Sequence, residues 1–227
     1  MKLKDKSETR PTPNRGGTRN YDREGTRRNI LEIASEEFAL NGLSGARIDE
    51  IAARTRASKR MIYYYFNDKE GLYLAALEDA YRLVREGEAK LDTRGLPPIE
   101  ALRKLVEFTF DHHQSHEEFI RMVMIENIHH GEYLERSQVI RDLNARAIDN
   151  IAEIYSRGVE DGVFRDGLDP LELHWQVSAL CFFNVSNRAT FSKIFGHDPS
   201  AEENVGTLRR NVVDMVLRYV TRNEQLG

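Results

Sequence analysis

The sequence has little cysteine and no long apolar run, and these absences exclude several classes of protein. Its 227 residues contain one cysteine, Cys181, which rules out a disulfide within the chain and is typical of a reducing compartment. The N-terminal residues MKLKDKSETR lack the apolar segment of a signal peptide. No apolar run approaches the roughly 18 residues that a membrane helix needs. We therefore expect a cytoplasmic protein with no membrane partner.

Common catalytic motifs are missing as well. The chain contains no His-Glu-x-x-His pair, no Cys-x-x-Cys pair, no phosphate-binding loop and no nucleophile elbow. Apolar residues make up 40% and charged residues 31%, which is ordinary for a globular protein. We expect a protein that is not an enzyme and that carries no cofactor.

The charge is divided unevenly along the chain. Residues 1–70 hold 15 Lys+Arg and 11 Asp+Glu, a net of +4, so the remainder of the total holds 18 and 26, a net of −8. Residues 1–22 are polar, show no apolar periodicity and predict a disordered basic arm. Two interpretations of the arm stay open, namely contact with DNA phosphates or the minor groove, and a solvated tail. A basic N-terminal region on an acidic body supports a nucleic-acid partner.

The stretch from Gly42 to Glu70, GLSGARIDEIAARTRASKRMIYYYFNDKE, predicts two short helices around a tight turn, followed by a longer helix. Ser58 is placed to cap the second short helix through its hydroxyl. In that helix Ile62 and Phe66 share one face, since they lie four residues apart. The opposite face and its flanks carry cations and hydroxyls, namely Lys59, Arg60, Tyr63 and Tyr64. Such a helix fits the major groove of B-DNA.

These residues give the segment a resemblance to the helix-turn-helix of TetR-type transcriptional regulators. The matching elements are Gly42, Ile51-Ala52, Ser58, the run from Tyr63 to Lys69, and Glu70-Gly71-Leu72. The resemblance covers roughly residues 26–75. It implies an all-α fold with a DNA-binding head at residues 23–71 and a larger helical ligand-binding and dimerisation body at residues 72–227. It also implies a homodimeric repressor that a small-molecule effector releases from a palindromic operator in double-stranded DNA.

Two positions depart from the family's pattern. The family usually has threonine at the start of the second helix, where this chain has Ala46-Arg47, and glycine in the turn, where it has Arg56. A non-glycine residue in a left-handed conformation costs on the order of 1 kcal/mol. The turn at Arg56 is therefore expected to be shaped differently or strained.

The helical wheel and the resemblance together predict the residues that contact DNA. We expect Lys59, Arg60 and Tyr63 to reach base edges. We expect phosphate contacts from Thr26, Arg27, Arg47, Ser58, Tyr64 and Lys69. Lys69 lies in the first turn of a helix, where a cation opposes the helix dipole unless an anion is held there. Thr26 has the alternative role of a helix cap.

Apolar periodicity predicts six helices in the body. They cover about 72–91, 98–110, 117–130, 132–161, 170–195 and 201–221. Leu72, Ala75, Ala76 and Leu83 mark the buried stripe of the first. The last two are expected to pair two subunits through Trp175, Phe182, Val205, Leu208, Val212 and Val216, the alternative being a large monomeric core.

The body also concentrates histidines and aromatic residues. A ligand pocket is one use of them, with candidate walls and anchors at Phe108, His112, Phe119, Met122, Asn127, His129, Trp175, Gln176, Phe182 and Asn184. Plain core packing is the other. A metal-dependent enzyme using His112, His116 and His129 is an alternative function, although no metal-binding motif supports it. A helical adaptor that binds another protein is a second alternative.

Overall fold

The computed structural model of the chain describes residues 23–222, which are helices and connecting segments apart from one isolated antiparallel bridge between Phe164 and Thr221. The helices of this part are α1 (Arg23–Gly45), α2 (Ile48–Arg54), α3 (Lys59–Phe66), α4 (Lys69–Ala89), α5 (Pro98–Ser115), α6 (Glu117–Ile128), α7 (Glu132–Glu135), α8 (Gln138–Glu160), α9 (Pro170–Ser186), α10 (Arg188–Phe195) and α11 (Glu202–Val220). The predicted all-α class is confirmed. No helix of the described part is long and apolar enough to cross a membrane. The predicted arm, residues 1–22, lies outside the described residues.

The head is built around the apolar positions that the periodicity predicts. The buried apolar side chains of α1–α3 include Ile30, Ala34, Phe38, Ile48, Ile51, Ile62 and Phe66. Gly42 interrupts α1 with φ 65° and ψ 175°, a conformation that glycine adopts without the steric clash that a Cβ introduces. The first helix therefore changes direction where the sequence predicts its end.

Helix α4 belongs to both the head and the body. Its first half places Leu72, Tyr73 and Leu77 in the head core, which also contains Met122 of the body helix α6. Its second half buries Val84 among body residues. With 21 residues, α4 is about 32 Å long. It crosses the predicted boundary at residues 71 and 72 without a break, so the two parts share a rigid element.

The body core lies among α5, α8, α9 and α11. Its buried members are Ala101, Leu102, Leu105, Val106, Phe110, Ile151, Ile154, Tyr155, Phe164, Leu173, Val177, Cys181, Val212, Val213, Val216, Leu217 and Val220. Tyr155 also donates its hydroxyl to the Arg165 carbonyl and accepts from the Leu168 N–H, both at 2.9 Å. These bonds fix the connection from α8 to α9 over the end of the core.

Three expectations about the body helices are wrong. The predicted helix at 132–161 is two helices, because Ser137 accepts the N–H of Ile140 at 3.1 Å and so begins α8 as an N-cap. The predicted helix at 170–195 is divided at Asn187 into α9 and α10. Leu83 is half exposed rather than buried, because the inner face of α4 continues through Val84 and Glu88.

Candidate functional site

Helix α3 has one face in the head core and the other in solvent. The hydroxyl of Ser58 accepts a hydrogen bond from the backbone N–H of Met61 at 3.2 Å, which confirms the predicted N-cap. Ile62 and Phe66 anchor the buried face, whereas Tyr64 is 72% exposed. The solvent side of α3 carries Lys59, Arg60, Tyr63 and Tyr64. The helix thus presents cations and phenolic hydroxyls to the solvent.

The junction of α3 with α4 fixes the angle between them. Asn67 ends α3 with φ 67°, in a region of backbone space that asparagine enters more readily than most residues. The Asp68 carboxylate caps α4 by accepting the Gly71 N–H at 2.7 Å. A Cβ at Gly71 would lie 2.2 Å from the carbonyl oxygen of Phe66. Glycine is therefore required there for the two helices to meet.

The turn between α2 and α3 is not strained at Arg56. Among the described non-glycine residues only Asn67 and His130 have a positive φ, so the expectation of strain at Arg56 is wrong. Thr55 closes this turn with its side chain. Its hydroxyl donates to the Ala52 carbonyl and accepts the Ala57 N–H, each at 3.3 Å.

Arg47 precedes α2 and is oriented by a buried carboxylate. Glu37 of α1 is buried and accepts the backbone N–H of Arg47 at 3.1 Å and the side-chain amide of Asn41 at 3.0 Å. The side chain of Arg47 remains exposed beyond this anchor. Glu37 thus fixes the backbone of Arg47, the residue that was predicted to contact a phosphate.

The two lysines predicted to contact DNA have partners within the chain. Lys59 pairs with Asp49 of α2 at 3.0 Å, and this hydrogen bond and charge raise the pKa of the Lys59 ammonium. Lys69 donates to the carbonyl of Ser44 at 3.2 Å, which joins the start of α4 to the end of α1.

The start of α1 packs behind α3. The Arg27 guanidinium lies 5.4 Å from the centre of the Phe66 ring, a cation–π contact. Thr26 is half-buried and lies inside α1, which already includes Arg23. The alternative role of Thr26 as a helix cap is therefore wrong.

The apolar face that the last helices leave exposed differs from the predicted one. Val212 and Val216 are each 2% exposed, because α11 turns them toward the core of their own protomer, so their assignment to a subunit interface is wrong. Val205 and Leu208 are half-buried, as is Phe182, while Trp175 is 71% exposed. The large apolar side chains exposed on α9, α10 and α11 are Leu171, Trp175, Phe183, Ile194, Phe195, Met215 and Tyr219. We call this set the outer apolar face.

The predicted pocket residues do not form one site. Asn127 and His129 are exposed around the end of α6, and Trp175 and Gln176 are exposed on the outer side of α9, so these four assignments are wrong. Asn184 is half-buried, and its amide donates to the Leu180 carbonyl of its own helix at 2.7 Å. Phe108, His112, Phe119, Met122 and Phe182 remain buried or half-buried in the body.

Three of these residues, Phe108, Phe119 and Phe182, border a group of basic side chains of which the sequence pattern indicated only His112 and His113. The group, which we call the Arg85–histidine cluster, consists of Arg85 on α4, His112 and His113 on α5, and His174 on α9. Aromatic rings border it. The ring centres of Phe108 and Phe119 lie 5.7 and 6.0 Å from that of His112, and Phe182 lies 6.4 Å from His113.

Several nitrogens of the cluster have no hydrogen-bond partner among the described residues. They are the Nε of Arg85, both ring nitrogens of His112 and the Nδ1 of His113. Arg85 does use its two terminal nitrogens, which donate to Glu88 at 2.5 Å and to Asn144 at 3.1 Å. A buried polar group without a partner costs about 1–3 kcal/mol. Such a concentration of unpaired nitrogens is an arrangement that a bound group would stabilise.

The environment keeps these histidines neutral. Burial lowers the pKa of His112 to about 3 and those of His113 and His174 to about 4, and the positive charge of Arg85 acts in the same direction on all three. A hydrogen bond to the backbone of Cys181 opposes the shift at His113. The imidazoles of the cluster are therefore neutral, and the charge of Arg85 is balanced by the carboxylate of Glu88.

An open groove reaches one member of the cluster, His112, whereas Arg85 lines a second groove between α4 and α8. The first groove has a volume of about 930 Å³ and lies between α1, α4 and the helices α5 and α6. Its lining includes His112, His116, Phe119 and Met122. The lining also carries more carboxylates than arginines, with Glu24, Glu32, Glu36, Asp79, Glu86 and Glu118 against Arg27, Arg28 and Arg82.

The described histidines do not form the metal site considered as an alternative. His112 and His116 stack face to face with ring centres 4.0 Å apart. The Nδ1 of His116 lies 3.0 Å from the carbonyl oxygen of His112. His129 is exposed at the end of α6. No group of three metal-ligating side chains occurs in the described part of the chain.

Comparisons with known proteins agree with the geometry of the head. A family model described as bacterial regulatory proteins, tetR family, matches residues 30–76, and one described as tetracyclin repressor-like, C-terminal domain, matches residues 98–216. The chain is 34% identical over 206 residues to the HTH-type transcriptional repressor NicS of Pseudomonas putida, covering 91% of this chain and 97% of that protein. It is 30% identical over 167 residues to the HTH-type transcriptional repressor SCO4008 of Streptomyces coelicolor, covering 72% and 80%. The fatty acid degradation regulator FadR of Bacillus halodurans has a similar fold, with a TM-score of 0.66 and 19% identity over 85% of this chain and 94% of that one.

Proposed function

This chain belongs to the TetR family of bacterial transcriptional regulators, and we propose that it reads its operator through the solvent face of α3. The observation that carries the proposal is the exposure of Arg60, Tyr63 and Tyr64 on a helix whose other face is locked into the head core. A helix held in this way can enter the major groove without losing its packing. The family consists of DNA-binding proteins rather than enzymes, so the enzyme alternative is not favoured.

We assign base contacts and phosphate contacts to different parts of the head. Lys59, Arg60 and Tyr63 reach base edges. Lys59 either exchanges its ion pair with Asp49 for a contact to a base or keeps that ion pair, which then orients its side chain. The phosphate contacts come from Thr26, Arg27, Arg47, Ser58, Tyr64 and Lys69. The exposure of Arg47 and the position of Lys69 at the start of α4 support these roles.

The protein acts as a homodimer in this proposal. The outer apolar face supports it, because seven large apolar side chains are exposed on α9, α10 and α11, and exposed apolar surface marks interaction sites. A two-fold dimer carries two heads, so the operator is an inverted repeat whose half-sites lie about one helical turn, or a multiple of it, apart. The adaptor alternative assigns the same face to a different protein.

In this proposal, helix α4 transmits the regulatory signal from the body to the head. A small, partly apolar effector binds in the body and shifts α4, whose other end contacts DNA through Lys69. The result is release of the operator, which makes the protein a repressor. In this proposal it works in the cytoplasm. A coupling of about 1–3 kcal/mol between the two sites is typical of such regulators.

Selection of bound fragments from random double-stranded DNA tests the proposal. We expect an inverted repeat, bound with an affinity that falls steeply as salt rises. Sedimentation of the complex reports how many protomers bind. Binding without sequence preference, or a single half-site bound by a monomer, contradicts the proposal.

A further inference from the structure

The groove between α1, α4, α5 and α6 carries an excess of negative charge that the proposed function does not use. Its lining holds six carboxylates and three arginines, a net of −3 from these groups. The carboxylates come from three of the helices, namely α1 (Glu24, Glu32 and Glu36), α4 (Asp79 and Glu86) and α6 (Glu118). Acceptor groups therefore face the groove from several directions.

Most of these carboxylates are not neutralised within the described part of the chain. Asp79 pairs with Arg82 at 3.0 Å, and Glu36 pairs with Arg54, which lies outside the groove. The other four carboxylates have no ion pair with any described residue, namely Glu24, Glu32, Glu86 and Glu118. The groove thus has more negative charge than its own arginines balance.

His112 gives a second and independent indication of a ligand. It lines the same groove and is 8% exposed, and neither of its ring nitrogens has a partner among the described residues. Burial lowers its pKa to about 3, so the ring is neutral and one of its nitrogens is an acceptor. Because carboxylates and this nitrogen all accept hydrogen bonds, the matching ligand is a donor.

His116 adds a further acceptor to the groove. Its ring lines the groove and stacks on that of His112, with ring centres 4.0 Å apart. Its Nδ1 lies 3.0 Å from the carbonyl oxygen of His112. Since a carbonyl oxygen only accepts, this Nδ1 carries a proton, and in the neutral ring the Nε2 of His116 is an acceptor.

The shape of the groove selects an extended ligand with apolar segments. Glu24 and Glu36 lie 12 residues apart on α1, so the carboxylates are spread over about 18 Å. Three buried apolar side chains, which we call the apolar floor, also line the groove, namely Leu31, Phe119 and Met122. A compact cation reaches only one part of such a surface and leaves the apolar floor uncovered.

We propose that this groove binds a linear aliphatic polyamine, with its ammonium groups at the unpaired carboxylates and its methylene segments on the apolar floor. One ammonium donates to the neutral ring of His112, and the half-buried ring of His116 moves aside to admit it. A ligand with three positive charges matches the net of −3. An organic cation fits better than a metal ion, because the described residues contain no cluster of three metal-ligating side chains.

This site lies where the head meets the body. Helix α1 belongs to the head, whereas α5 and α6 belong to the body, so a polyamine in the groove bridges the two parts. Arg27, to which we assign a phosphate contact, lines the same groove. Any effect of the polyamine on operator binding rests on the proposed function, whereas binding of the polyamine does not.

Calorimetry on the full chain without DNA tests the chemical class with two matched pairs of ligands. Spermidine should bind at least about tenfold more tightly than hexaamminecobalt(III), which has the same charge but no methylene groups, since burial of about two methylene groups accounts for a factor of ten. Similarly, 1,6-diaminohexane should bind at least about fivefold more tightly than hexamethonium, which has the same charge and chain but no N–H to donate.

Substitutions of exposed carboxylates locate the site without disturbing the core. Glu32→Gln and Glu86→Gln, on α1 and α4, should each weaken spermidine binding at least about threefold, and together at least about tenfold. Glu160→Gln is the matched control, because Glu160 is also exposed and unpaired among the described residues but lies outside the groove. It should leave the affinity within about 1.5-fold.

The proposal is overturned if spermidine does not bind, if the two ligands of either pair bind equally well, or if Glu160→Gln weakens binding as much as the groove variants. A gel shift with the selected operator separates this inference from the proposed function. A protein that binds the operator but no spermidine refutes this inference alone. A protein that binds spermidine but no DNA refutes the proposed function and leaves the polyamine site intact.

Discussion

Replacing Glu126 with alanine should remove a buried polar link between α4 and the body. The Glu126 carboxylate is 1% exposed and accepts the Tyr73 hydroxyl at 2.9 Å on one oxygen. Its other oxygen accepts the backbone N–H groups of Tyr133 and Leu134, both at 3.1 Å. One side chain thus joins α4, α6 and α7.

The magnitude follows from the number of groups left without a partner. Glu126→Ala removes the acceptor of two buried donors and one part-buried donor, and a buried donor costs about 1–3 kcal/mol when unpaired. Water entering the space recovers part of this, so we expect a loss of about 3–5 kcal/mol, which is large for a single substitution. Tyr73→Phe removes one donor and should cost about 1–2 kcal/mol.

Urea denaturation followed by circular dichroism measures these losses. Combining Tyr73→Phe with Glu126→Ala gives a double-mutant cycle, and the double variant should cost less than the sum of the single changes because the two groups share a bond. Glu118→Ala, on the same helix at a half-buried position, is the control and should change stability by about 0.5 kcal/mol or less. A Glu126→Ala protein as stable as the control would refute the reasoning.

The remaining predictions concern the head, the histidines and the outer apolar face. Gly71→Ala should destabilise the head by about 1–3 kcal/mol in the same urea assay, because its Cβ would meet a backbone carbonyl at 2.2 Å. Gly206→Ala is the matched control. It should stabilise α11 by about 0.5–1 kcal/mol, because the nearest atom to the added Cβ is 3.7 Å away. Stability should fall as pH drops from 6.5 toward 4, because the unfolded chain binds protons that the buried histidines exclude, and His113→Phe should flatten that slope in pH-dependent melting. Trp175→Glu should shift sedimentation from dimer to monomer without loss of helix content, because Trp175 is exposed. Val212→Glu should unfold the protomer, because Val212 is buried in its own core. The opposite pattern would place the subunit contact on the inner face of α11.

Local signals in the head were sufficient to predict its structure. Ser58, Ile62 and Phe66 each specify one feature of α3, and a short helix next to a tight turn leaves few alternative arrangements. The closure of the turn by Thr55 was not predicted, although threonine hydroxyls often hydrogen-bond nearby backbone groups. Because a threonine hydroxyl can bond several neighbouring backbone groups, the sequence alone does not specify which of them Thr55 engages.

The body was harder to predict because its helices are apolar on several sides. The valines of α11 show a regular pattern, but periodicity alone does not tell whether Val212 faces its own core or a partner. The Arg85–histidine cluster joins three helices that are distant in sequence, so spacing along one helix could not reveal it. One usable signal was present. Arg85 and Glu88 lie on the α4 face that buries Val84, and charged residues in a buried stripe indicate paired or functional groups.

Binding of the selected operator and of a scrambled duplex by the Arg60→Ala and Lys69→Ala variants, measured by fluorescence anisotropy across a salt series, tests the DNA-reading face most directly. Arg60→Ala should lose about 1–3 kcal/mol on the operator and relax the preference at one base position, with little change on the scrambled duplex. Lys69→Ala should weaken both duplexes about equally and reduce the salt slope by about one unit. If Lys69→Ala changed the sequence preference while Arg60→Ala weakened both duplexes alike, the proposed division between base and phosphate contacts would be contradicted.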